Sequence, residues 1–208
     1  MEHVLFLHFK IAKKNDIKDN FSEIIKSMDN DFRLIPVRTW HLLFAGKIPG
    51  KSGLYTLEYW QNPEAEAYLS LYKRVGEPWG WTGRLLLTPQ ALSEKLASRF
   101  NEVWLFKTDH VLRGFFEIDR SVPGKAEVVY LGLLPEMIGK GFGKLILDAA
   151  ILTATGTQND RVWLHTCEYD HPRAQEMYLN AGFMIEKETV EEEYYPVDFL
   201  ESIKNPDK

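Results

Sequence analysis

Gly139, Gly141 and Gly143 alternate just after the apolar run Leu131-Gly132-Leu133-Leu134, which ends at Pro135, and a helical pattern follows them. A strand, a glycine turn and a helix in that order present unpaired backbone N–H groups at the helix entrance, where the dipole favours an anion. Glycine lets a bulky group approach the backbone closely, and Lys140 and Lys144 can add countercharge. The chemistry this arrangement suits is diphosphate binding. A dinucleotide fingerprint requires glycine where Lys144 stands. A P-loop requires glycine at Ile138 and Ser or Thr at Leu145. The spacing excludes both.

A second segment lies downstream. Arg161–Thr166 alternates as a strand. Pro172 suits the first helical position, with His171 or Asp170 as N-cap. Ala174, Met177, Tyr178 and Ala181 fall on one helical face, and Gly182 closes the helix.

Together the two segments resemble a known pair of motifs. Ile138-Gly139-Lys140-Gly141-Phe142-Gly143 resembles motif A of the GCN5-related N-acetyltransferases (GNAT), Gln/Arg-x-x-Gly-x-Gly/Ala, with Ile138 in place of the usual Gln or Arg. His171, Ala174, Tyr178, Gly182 and Phe183 resemble motif B, Asn-x-x-Ala-x-x-x-Tyr-x-x-x-Gly-Phe, with His171 where Asn is common. The resemblance implies a mixed α/β fold, with a central, mostly antiparallel sheet splayed at the cofactor gap and helices on both faces. It also implies acetyl-CoA as co-substrate. Pantetheine would run along Leu131, Leu133 and Leu134, with the thioester carbonyl near the Leu133 N–H as in an oxyanion hole. Ile138, Gly139, Lys140, Gly141, Phe142, Gly143 and Lys144 would hold the diphosphate, and His171 and Tyr178 would complete the cofactor site.

For the chemistry, the resemblance makes Tyr178 the acid that protonates the leaving thiolate. It makes Glu127 the base, because Glu127 aligns with a catalytic glutamate of histone-type members. Period-two counting puts Glu127 on one face with Val129, Leu131 and Leu133. Glu117 and His165 are rivals for the base, and an α-amine with a pKa near 8 needs none. The loop between the first two helices of the domain lines the acceptor pocket in the family, which points to Trp79, Trp81 and Arg84 here. Two tryptophans can wall the pocket or hold a cation, and Arg84 can grip a carboxylate in a bidentate way. The Trp-Gly-Trp and arginine pattern also resembles a bacterial GNAT subgroup of largely unassigned substrate.

The elements that must position these residues follow along the chain. Val4–Ile11 reads as a strand, Asp16–Met28 as a helix and Phe32–Phe44 as extended, with Pro36 limiting a central role. Residues 1–45 thus form a strand–helix–strand appendage that can lend a strand to the main sheet. Ala45–Gly53 is a linker. Residues 54–197 carry the GNAT pattern: a strand at Tyr55–Trp60, helices at Pro63–Val75 and Pro89–Arg99, then three strands at Glu102–Thr108, Val111–Ser121 and Ala126–Leu134. A long helix over Gly139–Thr155 and the motif B unit follow. Strands near Phe183–Lys187 and Glu193–Val197 end the domain, and 198–208 form a tail.

Composition sets the outer limits. A hydrophobic content of 45% indicates a packed core. A net charge of -5 argues against nucleic acid as a partner. The single cysteine, Cys167, excludes an internal disulfide, suggests a reducing, cytoplasmic setting, and reads as a small buried hydrophobe rather than an acyl carrier. No apolar run reaches the ~20 residues that span a bilayer, so no membrane association is expected. The six histidines show no metal-ligand spacing, so no metal is expected. The Glu191–Glu193 run reads as a solvated face. The expected activity is direct transfer of acetyl from acetyl-CoA to a small-molecule or peptide amine in a ternary complex, with a second copy of the chain as a candidate homodimer partner. The rival reading is a non-catalytic acyl-CoA-binding or protein-interaction module.

Overall fold

A computed structural model describes residues 31–156 and 161–204. The expected strand at Val4–Ile11 and helix at Asp16–Met28 lie outside them. Among the described residues, seven strands form one sheet: β1 (Phe32–Phe44), β2 (Thr56–Tyr59), β3 (Asn101–Thr108), β4 (Val111–Asp119), β5 (Lys125–Leu133), β6 (Arg161–Cys167) and β7 (Phe183–Pro196). Their order is β2-β3-β4-β5-β6-β1-β7. All neighbours are antiparallel except β5 and β6. This is the mixed α/β architecture expected from the motifs.

Helices cover both faces. On one face lie α3 (Phe142–Thr155) and α4 (Ala174–Asn180), whose Ile146, Leu147, Ala150, Ile151, Ala174 and Tyr178 share a core with Phe116, Ala126, Val128 and Leu164. On the other lie α1 (Ala65–Gly76) and α2 (Pro89–Ala97), whose Tyr68, Tyr72, Leu92 and Leu96 pack on Val103 and Phe115. The last helix, α5 (Val197–Lys204), buries Leu200 against Val37 and Tyr195.

Three sequence readings change here. The N-terminal segment does lend a strand to the main sheet, but Pro36 does not confine β1 to an edge: it pairs with β6 over Thr39–Leu43 and with β7 over its whole length. Proline is tolerated in it because Pro36 lies beyond the last β6 pair, where only β7 adjoins it. The same thirteen-residue template makes β7 one continuous strand rather than two short ones.

The third change is a β-bulge in β5. Glu117 opposes Tyr130 and Ile118 opposes Val128, so Val129 has no partner in β4. An extra residue inverts period-two counting beyond it. Ala126 and Val128 face α3, and so do Leu131 and Leu133, whereas Tyr130 faces α1. Glu127 therefore shares its face with Tyr130 and not, as counting suggests, with Leu131 and Leu133.

Candidate active site

β5 and β6 are parallel and pair only over Lys125–Glu127 and Arg161–Trp163. Beyond Glu127 they part, which leaves Val128–Leu133 without a neighbour on that side, so its backbone groups can accept an extended amide-bearing chain. The predicted site residues divide between β5, which edges this wedge, and the elements packed on the two faces of the sheet.

On the α3 face stands the glycine turn. Pro135–Met137 forms a 3-10 turn, and α3 starts at Phe142, later than the sequence suggests. Gly139 and Gly141 have φ of 77° and 84°, and a Cβ on either would meet nothing within 4 Å. Gly141 is the N-cap of α3 and offers no side-chain cap, so the first N–H groups of the helix stay available. Such an open cradle fits a diphosphate. Ile138 is half-buried, and Lys140 and Lys144 are exposed, with Lys144 paired to Asp148 one turn on. Sequence reading passed over Arg113 of β4. Its guanidinium lies 5.5 Å from the centre of the Phe142 ring and 3.3 Å from Met137 Sδ, which adds a cation beside the turn.

Motif B closes the same face. His171 does not cap α4 as expected. Its Nδ1 accepts from Arg173 N at 3.1 Å, and its ring meets Trp79 edge-on at 4.9 Å. Asp170 instead accepts from Thr166 Oγ1 and Cys167 N, tying down the turn after β6. Tyr178 is buried on the inner side of α4 against Phe183, and its hydroxyl has no hydrogen-bond partner among the described residues. Burial, then the charge of Asp170, push its pKa above the ordinary phenol value. The proton stays on the oxygen at neutral pH.

The opposite face carries the loop after α1. Trp81 packs on Tyr72 and Tyr130 at 5.6 and 5.1 Å, and a Cβ on Gly132 would lie 3.2 Å from its indole. The loop is held to β7 by Thr82 Oγ1, which donates to the Tyr194 carbonyl at 2.6 Å. Arg84 is buried, ion-paired with Glu117 and stacked 4.9 Å from the Tyr130 ring centre. Tyr68 Oη donates to the other Glu117 oxygen at 2.5 Å. The carboxylate that Arg84 grips is thus the chain's own. Glu117, one rival for the base, already accepts two hydrogen bonds in a fully buried site.

Glu127 and His165 meet at the root of the wedge, 3.0 Å apart. Burial disfavours the imidazolium, but the hydrogen bond and charge of Glu127, with Glu193 and Asp170 behind, outweigh it and raise the His165 pKa from 6.5 to about 9. His165 is therefore cationic at neutral pH and cannot itself take a proton. Folding raises this pKa, so its stabilisation is full below pH 6.5 and is lost as pH rises toward about 9. Thermal unfolding followed between those values should show the melting temperature falling, with a shallower fall in His165→Gln.

Glu191 and Glu193 are not a solvated face. In an extended strand the run divides: Glu192 is exposed, while Glu191 and Glu193 turn inward on the side of His165. Glu191 accepts from His41 Nε2 at 2.9 Å. The sequence signal for this is the alternation of Glu191 and Glu193 with the buried Tyr195 along one continuous strand. Cys167 lies 3.2 Å from Tyr195 Oη, and burial followed by the charge of Asp170 pushes its pKa up to about 12. It is a protonated thiol rather than a nucleophile. No group of three or more His, Cys, Asp or Glu suited to a metal occurs among the described residues, and none of their helices is long and apolar enough to cross a membrane.

Comparison with known proteins agrees with this architecture. A GNAT-family structure from Novosphingobium aromaticivorans superposes with a TM-score of 0.55 at 17% identity, covering 80% of this chain and 68% of that one. A GCN5-related N-acetyltransferase from Sphaerobacter thermophilus gives 0.54 at 14%, with 84% of this chain aligned but only 56% of that one. The spermidine/spermine N-acetyltransferase SpeG from Vibrio cholerae gives 0.52 at 16%, over 73% and 99%. These likenesses concern the fold. No curated protein matches the sequence. The sequence model of the acetyltransferase (GNAT) family matches residues 54–183, well over half the chain. With both motifs packed on one face of the splayed sheet, the chain belongs to the GNAT acetyltransferase family.

Proposed function

We propose that the protein is an acetyl-CoA-dependent N-acetyltransferase that passes acetyl directly to a primary amine of a small molecule or peptide. The observation that carries this is the wedge. It opens on one face at a glycine cradle suited to diphosphate, and on the other beside packed aromatic rings and the carboxylates of Glu127 and Glu193, a setting suited to an amine. Leu131 and Leu133 hold the pantetheine arm through the backbone groups that face away from β4, and the Leu133 N–H receives the thioester oxygen; Leu134, whose own N–H and C=O are bonded to Arg113 and Met137, stands at the end of that path. Gly139, Gly141, Phe142 and Gly143 receive the diphosphate, with Ile138, Lys140, Lys144 and His171 around it. Tyr178 reaches the sulfur from the α4 side. Trp79 and Trp81 wall the acceptor pocket, and Arg84 fixes that wall through Glu117 in place of binding the acceptor. Glu127, held by His165, lines the root of the pocket. Residues 54–197 form the catalytic unit, into which the N-terminal segment inserts β1. A reducing cytoplasm suits both the co-substrate and the free thiol.

The test is calorimetric titration with acetyl-CoA, then a thiol-release assay across primary alkylamines and peptide α-amines. Saturable binding and turnover of at least one amine are expected. Binding without turnover would instead make the chain an acyl-CoA-binding module.

A further inference from the structure

The carboxylate of Glu193 is in an unusual position. Its β1 partner, Ile35, lies past the last β1–β6 pair, Thr39 and Cys167, so Glu193 stands beyond the end of β6, on the side of His165 and Tyr130. It is half-buried, yet it makes no hydrogen bond or ion pair among the described residues. Its neighbours Glu191, Glu127 and Asp170 are all engaged, with His41, His165 and the Thr166–Cys167 turn respectively. The anchored Thr82–Tyr194 contact brings the tryptophan loop alongside.

Building on the transferase reading, we propose that Glu193 takes the proton from the acceptor's ammonium group. A primary alkylamine is protonated at neutral pH, with a pKa of about 10, so it must lose a proton before it can attack. In the proposed step one ammonium proton passes to the Glu193 carboxylate. The freed lone pair forms the N–C bond to the thioester carbon. As the C–S bond breaks, the thiolate takes a proton from Tyr178, and the surplus proton on nitrogen refills Tyr178 through the wedge. Glu193 then releases its proton to solvent. The products are the amide, the free thiol and one proton.

The surroundings support this role. Burial first, then the charges of Glu191 and Asp170, raise the Glu193 pKa against the lowering effect of His165. Tyr130 from β5, Cys167 from β6 and Tyr195 on its own strand also face it, all neutral at working pH and raised by its charge. Glu127 and His41 act on it only through His165 and Glu191. A carboxylate of raised pKa is a stronger base.

The test is Glu193→Gln, assayed with the best alkylamine acceptor and a peptide α-amine between pH 6.5 and 10. Glu192→Gln serves as a surface control. The expected loss in kcat/KM is roughly 10²-fold at pH 7 for the alkylamine, shrinking as pH nears the amine's own pKa, and smaller throughout for the α-amine. Acetyl-CoA affinity should not change. Glu193→Asp should keep the wild-type pH dependence at a reduced rate, and it provides a folded comparison if the Gln variant is unstable. A Gln variant within twofold of wild type, or a deficit that is constant with pH and acceptor pKa, would overturn the role of Glu193 and leave the transferase reading standing. Acetyl-CoA binding without wild-type turnover of any amine would overturn both.

Discussion

Gly141→Val should abolish acetyl-CoA binding, with a loss of at least 10²-fold in affinity measured by calorimetry. Two effects act at this position and both follow from the structure. The φ of 84° belongs to the left-handed region, where a β-branched residue costs about 1–2 kcal/mol. The space in front of the Cα is empty, so a valine side chain would fold into it without a clash and fill the cradle that the diphosphate needs. Gly124, in the turn between β4 and β5, separates the two. It has a φ of 72° and equally open surroundings, but it lies at the far end of β5 from the turn. Gly124→Val should lose similar stability in urea denaturation and bind acetyl-CoA as wild type does. If Gly141→Val folds and binds normally, the turn does not hold the cofactor. If both variants lose binding, backbone strain rather than occupancy is responsible.

Two parts of the candidate site were legible in the sequence because they are local, whereas the splay between β5 and β6 was expected only from the family resemblance. The glycine turn follows from spacing within a few residues, and so does the Ala174/Tyr178 face of α4. What was not legible depends on distant partners. Nothing near Val129 signals a bulge; the extra residue shows only against β4, and it moves Glu127 to the α1 face. Nothing near Phe32 says that its strand enters the sheet between β6 and β7. Once it does, β7 is templated along its length and the three consecutive glutamates divide between solvent and site. Arg84 shows the same limit from the other direction. Its residue type suggested an anion site, and an anion does sit there, but it is the Glu117 carboxylate from β4, supplied by the fold. Where a side chain's partner lies on another element, residue type reveals the chemistry available and topology decides who receives it.

Tyr178→Phe should lower kcat by roughly 10²–10³-fold and leave acetyl-CoA affinity almost unchanged. The ring is packed in the α3 core against Phe183, and phenylalanine keeps that packing, so a folded variant is expected. The hydroxyl is what changes. It makes no hydrogen bond with the described residues, and its helix covers the sheet face opposite Glu193. Because its pKa is raised, a tyrosinate would not persist, so in the proposed mechanism the group gives a proton to sulfur and recovers one from nitrogen in the same event. That logic makes a second result follow. Replacing the acetyl thioester with an activated ester whose leaving group has a low pKa removes the need for an acid, and the Phe variant should then recover most of the wild-type rate. A variant that is slow with both donors would mean that Tyr178 positions the acyl group and does not protonate sulfur. A variant at wild-type rate with acetyl-CoA, under conditions where a pre-steady-state burst is absent, would make Tyr178 a packing residue and leave the thiolate to be protonated by solvent at the wedge mouth.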